Sequence, residues 1–131
     1  MSSKLQILVR QFERAVGKLS NVLEQEKNEY IRDSAIQRFE FTFELAWKTV
    51  KAFLEEQGII VYSPRDSLKS AFQTGLTEED PDWLGMIELR NLTSHTYNEL
   101  VAEEIYRALP RMLTLYKDLL RELKKRGQAV P

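Results

Sequence analysis

Apolar residues recur along most of the chain at alternating spacings of three and four, which is the period of an amphipathic α-helix and not that of a strand. Leu5, Leu8, Phe12, Ala15, Leu19 and Val22 form the first stripe, with Lys, Gln, Arg and Glu between them. The stripe fades in the polar run 24–29, expected to be a loop or a frayed end. Asp33 or Ser34 is then placed to cap a second helix, whose stripe is Ile36, Phe39, Phe43, Ala46, Val50 and Phe53. A further row, Phe41, Leu45 and Ala52, lies beside Trp47. This helix is therefore apolar over more than one face and is expected to touch two neighbours or a partner subunit. Glu44 and Lys48 have i,i+4 spacing, suited to an ion pair. Gly58 offers a left-handed stop.

Ile59-Ile60-Val61-Tyr62 has the composition of a strand, but no second strand-like run exists for it to pair with. It is expected to be an extended apolar connection lying over the helices. Ser63-Pro64 then gives a cap followed by proline at the first helical position, opening a short helix with Leu68, Ala71 and Phe72 that Gly75 ends. After the polar linker 77–80, the segment 81–94 again has a helical pattern. Thr96 and Glu99 match a capping box, with Asn98 as a competing cap, so a last helix is expected to start just past His95. Its stripe is Ile105, Ala108, Met112, Leu115, Leu119 and Leu123. Pro110 is expected to kink it, and Gly127 to stop it after the basic residues Arg121, Lys124, Lys125 and Arg126. Four long amphipathic segments and one short one predict an all-α fold, an antiparallel helical bundle.

At 131 residues without repeats or interdomain linkers, the chain is expected to be a single domain spanning 1–131. The 19 basic residues are balanced by 20 acidic ones, so contact with a nucleic acid would have to be local and not driven by net charge. The absence of cysteine excludes disulfides and thiolate metal sites and fits a reducing, cytoplasmic setting. No apolar run is long enough to span a bilayer or to serve as the centre of a signal peptide, so no membrane association is expected.

Polar chemistry is concentrated in Arg90-Asn91-Leu92-Thr93-Ser94-His95-Thr96-Tyr97-Asn98, which holds the only histidine. If the helix continues through it, Asn91 and His95 stack one turn apart and Arg90, Ser94 and Tyr97 form the adjoining row, continuing rows that begin with Met86 and Ile87. Arginine offers a planar fork for phosphate, and histidine exchanges protons near neutral pH. Together they suggest cleavage or binding of a phosphodiester. The alternative is structural: His95 and Tyr97 cap and pack a helix end, and Arg90 pairs with Glu40 or Glu44.

Three motifs in order along the chain resemble one family: Arg38-Phe39-Glu40-Phe41-Thr42-Phe43-Glu44-Leu45-Ala46-Trp47-Lys48, then Ser63-Pro64-Arg65, then the Arg90 to Asn98 stretch. They are similar to the nucleotidyltransferase substrate-binding proteins of the HEPN superfamily. The resemblance implies an up-and-down four-helix bundle that forms a homodimer and is encoded beside a minimal nucleotidyltransferase in a toxin–antitoxin module. It also implies a metal-independent ribonuclease acting on RNA, with no cofactor and no metal. Its R-x-x-x-x-H-x-Y motif would make Arg90 and His95 catalytic, Asn91 and Ser94 supporting, and Tyr97 the residue to which the partner attaches AMP, adding negative charge beside Arg90. The family equally admits a non-catalytic subunit that only binds substrate for the transferase. The chain itself carries no nucleotidyltransferase signature, having no Gly-Ser followed by an Asp-x-Asp pair.

Overall fold

The structure, a computed structural model, describes residues 1–128. Its helices are α1 (Ser3–Leu23), α2 (Glu29–Glu56), α3 (Pro64–Gln73), α4 (Pro81–Leu92) and α5 (Glu99–Gln128), with a 3-10 turn, Thr93–His95, between the last two. No strand occurs among the described residues. Helices α1, α2, α4 and α5 make an up-and-down four-helix bundle, and the short α3 braces α2 against α4. Ion pairs report the directions. Lys4 at the start of α1 meets Glu55 at the end of α2, so these helices are antiparallel. Asp82 in the first turn of α4 meets Arg111 halfway along α5. Arg32 near the start of α2 meets Glu99 at the start of α5, so α2 and α5 run the same way. Among the described residues no helix is long and apolar enough to cross a membrane.

Two helix starts differ from expectation. Helix α2 begins at Glu29 because the Asn28 side chain accepts a hydrogen bond from the Ile31 N–H at 2.8 Å, which leaves Asp33 and Ser34 inside the helix. Helix α5 is capped by Asn98, whose Oδ1 accepts from the N–H groups of Leu100 and Val101, and not by Thr96. At its other end α5 continues through Gly127 to Gln128, so Gly127 does not stop it, and it passes without interruption through Pro110. Gly58 and Gly75 do end α2 and α3. Both have positive φ, 80° and 79°, and the next residues, Ile59 and Leu76, donate back to Leu54 and Ala71 as the left-handed cap requires. In the connection after Gly58 only Val61 is buried, while Ile60 and Tyr62 face solvent.

The core joins Leu5, Phe12 and Leu19 of α1 to Phe39, Val50 and Leu54 of α2 and to Ile105, Leu109 and Leu119 of α5, all essentially without solvent contact. On α5 the buried position is Leu109, with Ala108 only half-buried, so the stripe is turned slightly from the one expected. At its centre is Tyr116, fully buried, with its ring 6.0 Å from Phe12, 6.2 Å from Phe39 and 6.4 Å from Trp83. One aromatic side chain thus ties α1, α2 and α4 to α5, the kind of burial that contributes about 2 kcal/mol per residue. Desolvation pushes the Tyr116 phenol well above its ordinary range, with the charge of Glu44 adding to the effect.

Candidate functional site

Helix α4 stops at Leu92, two residues short of the segment expected, because a series of hydroxyls takes over the carbonyls orphaned at its end. Thr93 donates to the Arg90 carbonyl at 2.6 Å, Ser94 to that of Asn91 at 3.0 Å and Thr96 to that of Thr93 at 3.5 Å. The chain tightens into the 3-10 turn Thr93–His95. With about three residues per turn, the α-helical rows expected for Asn91 with His95 and for Arg90 with Tyr97 do not continue through it. Ser94 is thereby engaged in shaping the turn.

His95 and Tyr97 come together at this turn. The Tyr97 hydroxyl lies 3.4 Å from His95 Nδ1, and the two rings meet edge to face with centroids 6.0 Å apart. Tyr97 is 82% exposed, and Asn91, Ser94 and His95 also face solvent, so within one chain the motif forms an open surface and not the wall of a cleft. Arg90 is turned the other way, toward α2, where its Nε approaches Glu44 Oε1 to 3.5 Å. This is the carboxylate pairing that the structural alternative anticipated. It leaves Arg90 and His95 without a hydrogen bond or ion pair between them among the described residues. It also explains why Glu44 and Lys48 do not pair: the second carboxylate oxygen of Glu44 accepts from Trp47 Nε1 at 3.2 Å.

Behind the turn lies a charged cluster that periodicity alone did not reveal. Arg32 is buried, 5% exposed, and its guanidinium donates to Glu99 at 2.6 Å, Glu103 at 3.2 Å and Asp33 at 3.1 Å. The Glu99 hydrogen bond, reinforced by those to Glu103 and Asp33, outweighs desolvation and raises the Arg32 pKa. Hydrogen bonds from Lys27 first and Arg32 second hold the Glu103 carboxyl below its usual range. The cluster fastens the first turn of α5, two residues after Tyr97, to the start of α2. The available signal was the register of Arg32, one turn before Ile36 in the apolar stripe. Among the described residues no group of three or more His, Cys, Asp or Glu side chains is placed to hold a metal ion.

A family model described as "Nucleotidyltransferase substrate binding protein like" matches residues 8–125. The chain belongs to this family. It is 34% identical over 99 residues to a Haemophilus influenzae protein called "Probable ribonuclease HepT", covering 72% of this chain and 68% of that one. A crystal structure of a Thermus thermophilus protein superimposes with a TM-score of 0.81 at 39% identity, covering 86% of this chain and 98% of the other. A Haemophilus influenzae structure described as revealing the fold of a substrate-binding domain of a nucleotidyltransferase superimposes with a TM-score of 0.69 at 28% identity, covering 92% and 96%. The family assignment and the bundle fold expected from the three motifs therefore hold.

Proposed function

We propose that the chain is the HEPN-type subunit of a two-component nucleotidyltransferase module, a metal-independent ribonuclease toxin acting through Arg90 and His95 and silenced when its partner attaches AMP to Tyr97. The observation that carries this reading is the pairing of an exposed Tyr97 hydroxyl with His95 Nδ1 at 3.4 Å, five residues after an arginine whose side chain is 34% exposed. The Haemophilus relative named a probable ribonuclease supports it.

In the reaction, a base removes the proton of a ribose 2′-hydroxyl, the 2′-oxygen attacks the adjacent phosphorus, and the bond to the 5′-oxygen breaks as an acid protonates it. The products are a 2′,3′-cyclic phosphate and a 5′-hydroxyl. One histidine does not serve both ends of the displacement at once. A two-fold homodimer, in a reducing cytoplasm, supplies the second His95 and a second Arg90 for the developing phosphorane charge. Asn91 and Ser94 support the turn that carries them. For silencing, the Tyr97 oxygen attacks the α-phosphorus of ATP on the nucleotidyltransferase, pyrophosphate leaves, and the phenol proton passes to solvent or to His95. The new phosphodiester brings about one negative charge. Placed on Tyr97, it lies against His95 and not against Arg90, blocking the acid–base group.

The test uses the purified chain with chelator present, before and after incubation with its neighbouring nucleotidyltransferase, ATP and magnesium. Expected are RNA cleavage with cyclic phosphate ends, then an AMP mass increase and lost cleavage in the wild type but no mass increase in Tyr97→Phe. A labelled protein that still cuts RNA overturns the silencing. The second reading, a non-catalytic substrate-binding subunit, draws on the family description and on the Haemophilus structure of a substrate-binding domain. Absence of RNA cleavage by the purified homodimer decides for it, and a monomer with full activity removes the dimer from the mechanism.

A further inference from the structure

We propose that the outer face of α1 and α2 is a binding groove for single-stranded RNA, with Arg14 and Lys18 on its rim, Arg38 anchored beside Lys18, and Phe41 and Leu45 on its floor. This rests on the ribonuclease reading and gives that reaction a place to hold the strand away from the cut bond.

Since the chain is almost neutral overall, the distribution of uncompensated charge decides where a polyanion can sit. Many of the cations are already compensated: Arg32, Arg111 and Lys124, for example, each face a carboxylate. Arg14, Lys18 and Arg38 have no carboxylate partner among the described residues. Arg38 is instead held across the gap between the helices by donating from Nη1 to the main-chain carbonyl of Lys18 at 2.7 Å, a neutral acceptor that fixes its position and leaves its charge intact.

Next to them is a shallow groove of about 210 Å³, lined by Gln11, Arg14, Ala15, Lys18, Phe41 and Leu45, with no acidic side chain. Phe41 and Leu45 are half-buried there; Leu45 packs against the edge of the core, and Phe41 lies outside it. A basic rim over an aromatic and aliphatic floor is how single strands are held without regard to sequence: phosphates follow the cations and bases lie on the apolar surface. Glu44, which faces Arg90, lies on the same helix, three residues after Phe41.

Other surfaces fit RNA less well. The cavity between α4 and α5 is lined by Glu78, Asp80, Asp118 and Glu122, which repel phosphate. In the basic patch along the second half of α5, Arg121 and Lys124 are engaged with Asp118 and Glu13 while Lys117 and Lys125 have no carboxylate partner among the described residues, but it has no aromatic floor and lies well along α5 from the Thr93–His95 turn.

The test is fluorescence anisotropy with a labelled 2′-O-methyl uridine dodecamer, which has no free 2′-hydroxyl and is not cut, titrated with the full chain at 50 to 300 mM salt. An Arg14→Gln, Lys18→Gln double variant changes only exposed side chains and is checked by its thermal unfolding. It is expected to bind more weakly, with the slope of log K against log salt reduced by about 1.4, two single-strand contacts of about 0.7 each. It should also cut a dinucleotide at the wild-type rate but a long RNA more slowly, since a dinucleotide is too short to reach the groove. Unchanged dodecamer affinity and slope, or a wild type that does not bind the dodecamer at 50 mM salt, overturns the groove. So does a variant that keeps RNA binding but loses association with the nucleotidyltransferase, because the groove is then a protein dock. A wild type whose dodecamer binding depends on the groove but which leaves ordinary RNA intact upholds the groove and overturns the ribonuclease reading.

Discussion

Arg90 and Glu44 face each other across 3.5 Å without forming a hydrogen bond, and the Arg90 Nε lies buried with no partner among the described residues. Glu44 is fixed from its other side by the Trp47 indole N–H. The guanidinium is thus held by attraction along one edge, and its Nη atoms make no hydrogen bond among the described residues. Glu44→Gln keeps an acceptor for Trp47 and removes the charge. As both side chains are more than a third exposed to water or close to it, the expected loss of stability is under about 1 kcal/mol, measured by urea denaturation.

Neither His95 nor Tyr97 contributes to the core. His95→Ala is therefore expected to abolish RNA cleavage while shifting stability by no more than about 0.5 kcal/mol, the range of surface substitutions. Arg90→Lys is expected to lose most of the activity as well, because a point charge does not replace a bidentate fork. Cleavage assays on variants with unchanged melting curves check both; a His95→Ala protein that unfolds shows instead that the residue is structural.

The cluster around Arg32 makes stability depend on pH in a defined direction. Glu103 is held below its ordinary value of 4.5 by Lys27 and Arg32, so its contribution is fully present above that value and is lost as the pH falls through the lower folded value. Glu103→Gln should consequently lower the melting temperature at pH 7 and by progressively less below about pH 4. A difference that stays constant from pH 7 to pH 3 would count against the pairing.

Tyr116 titrates in the opposite sense. Its raised pKa means that the neutral phenol favours the folded state below about pH 10 and that this preference is lost as the pH rises beyond it. In a spectrophotometric titration Tyr116 is expected to ionise only as the chain unfolds. Tyr116→Phe removes a long hydrogen bond, 3.4 Å to the Phe39 carbonyl, and should cost no more than about 1 kcal/mol.

By itself the sequence determined the helices and their packing faces, because apolar periodicity over long segments reflects a local rule: a helix must bury one side. It also determined the stops at Gly58 and Gly75, where a left-handed residue is required, and it carried the three motifs that place the chain in its family. Start points were less legible where several caps competed. Asn28 prevailed over Asp33 and Ser34, and Asn98 over Thr96, because what decides is which side chain reaches a free N–H. Only the tertiary structure decided how the motif is arranged. The hydroxyls of Thr93, Ser94 and Thr96 turned an expected helix end into a 3-10 turn, Glu44 from another helix drew Arg90 away from His95, and Arg32 was enclosed by carboxylates from the start of α5. Each of these depends on a contact between residues distant in sequence, or on competition among hydrogen bonds at a helix end, and neither leaves a periodic trace in the chain.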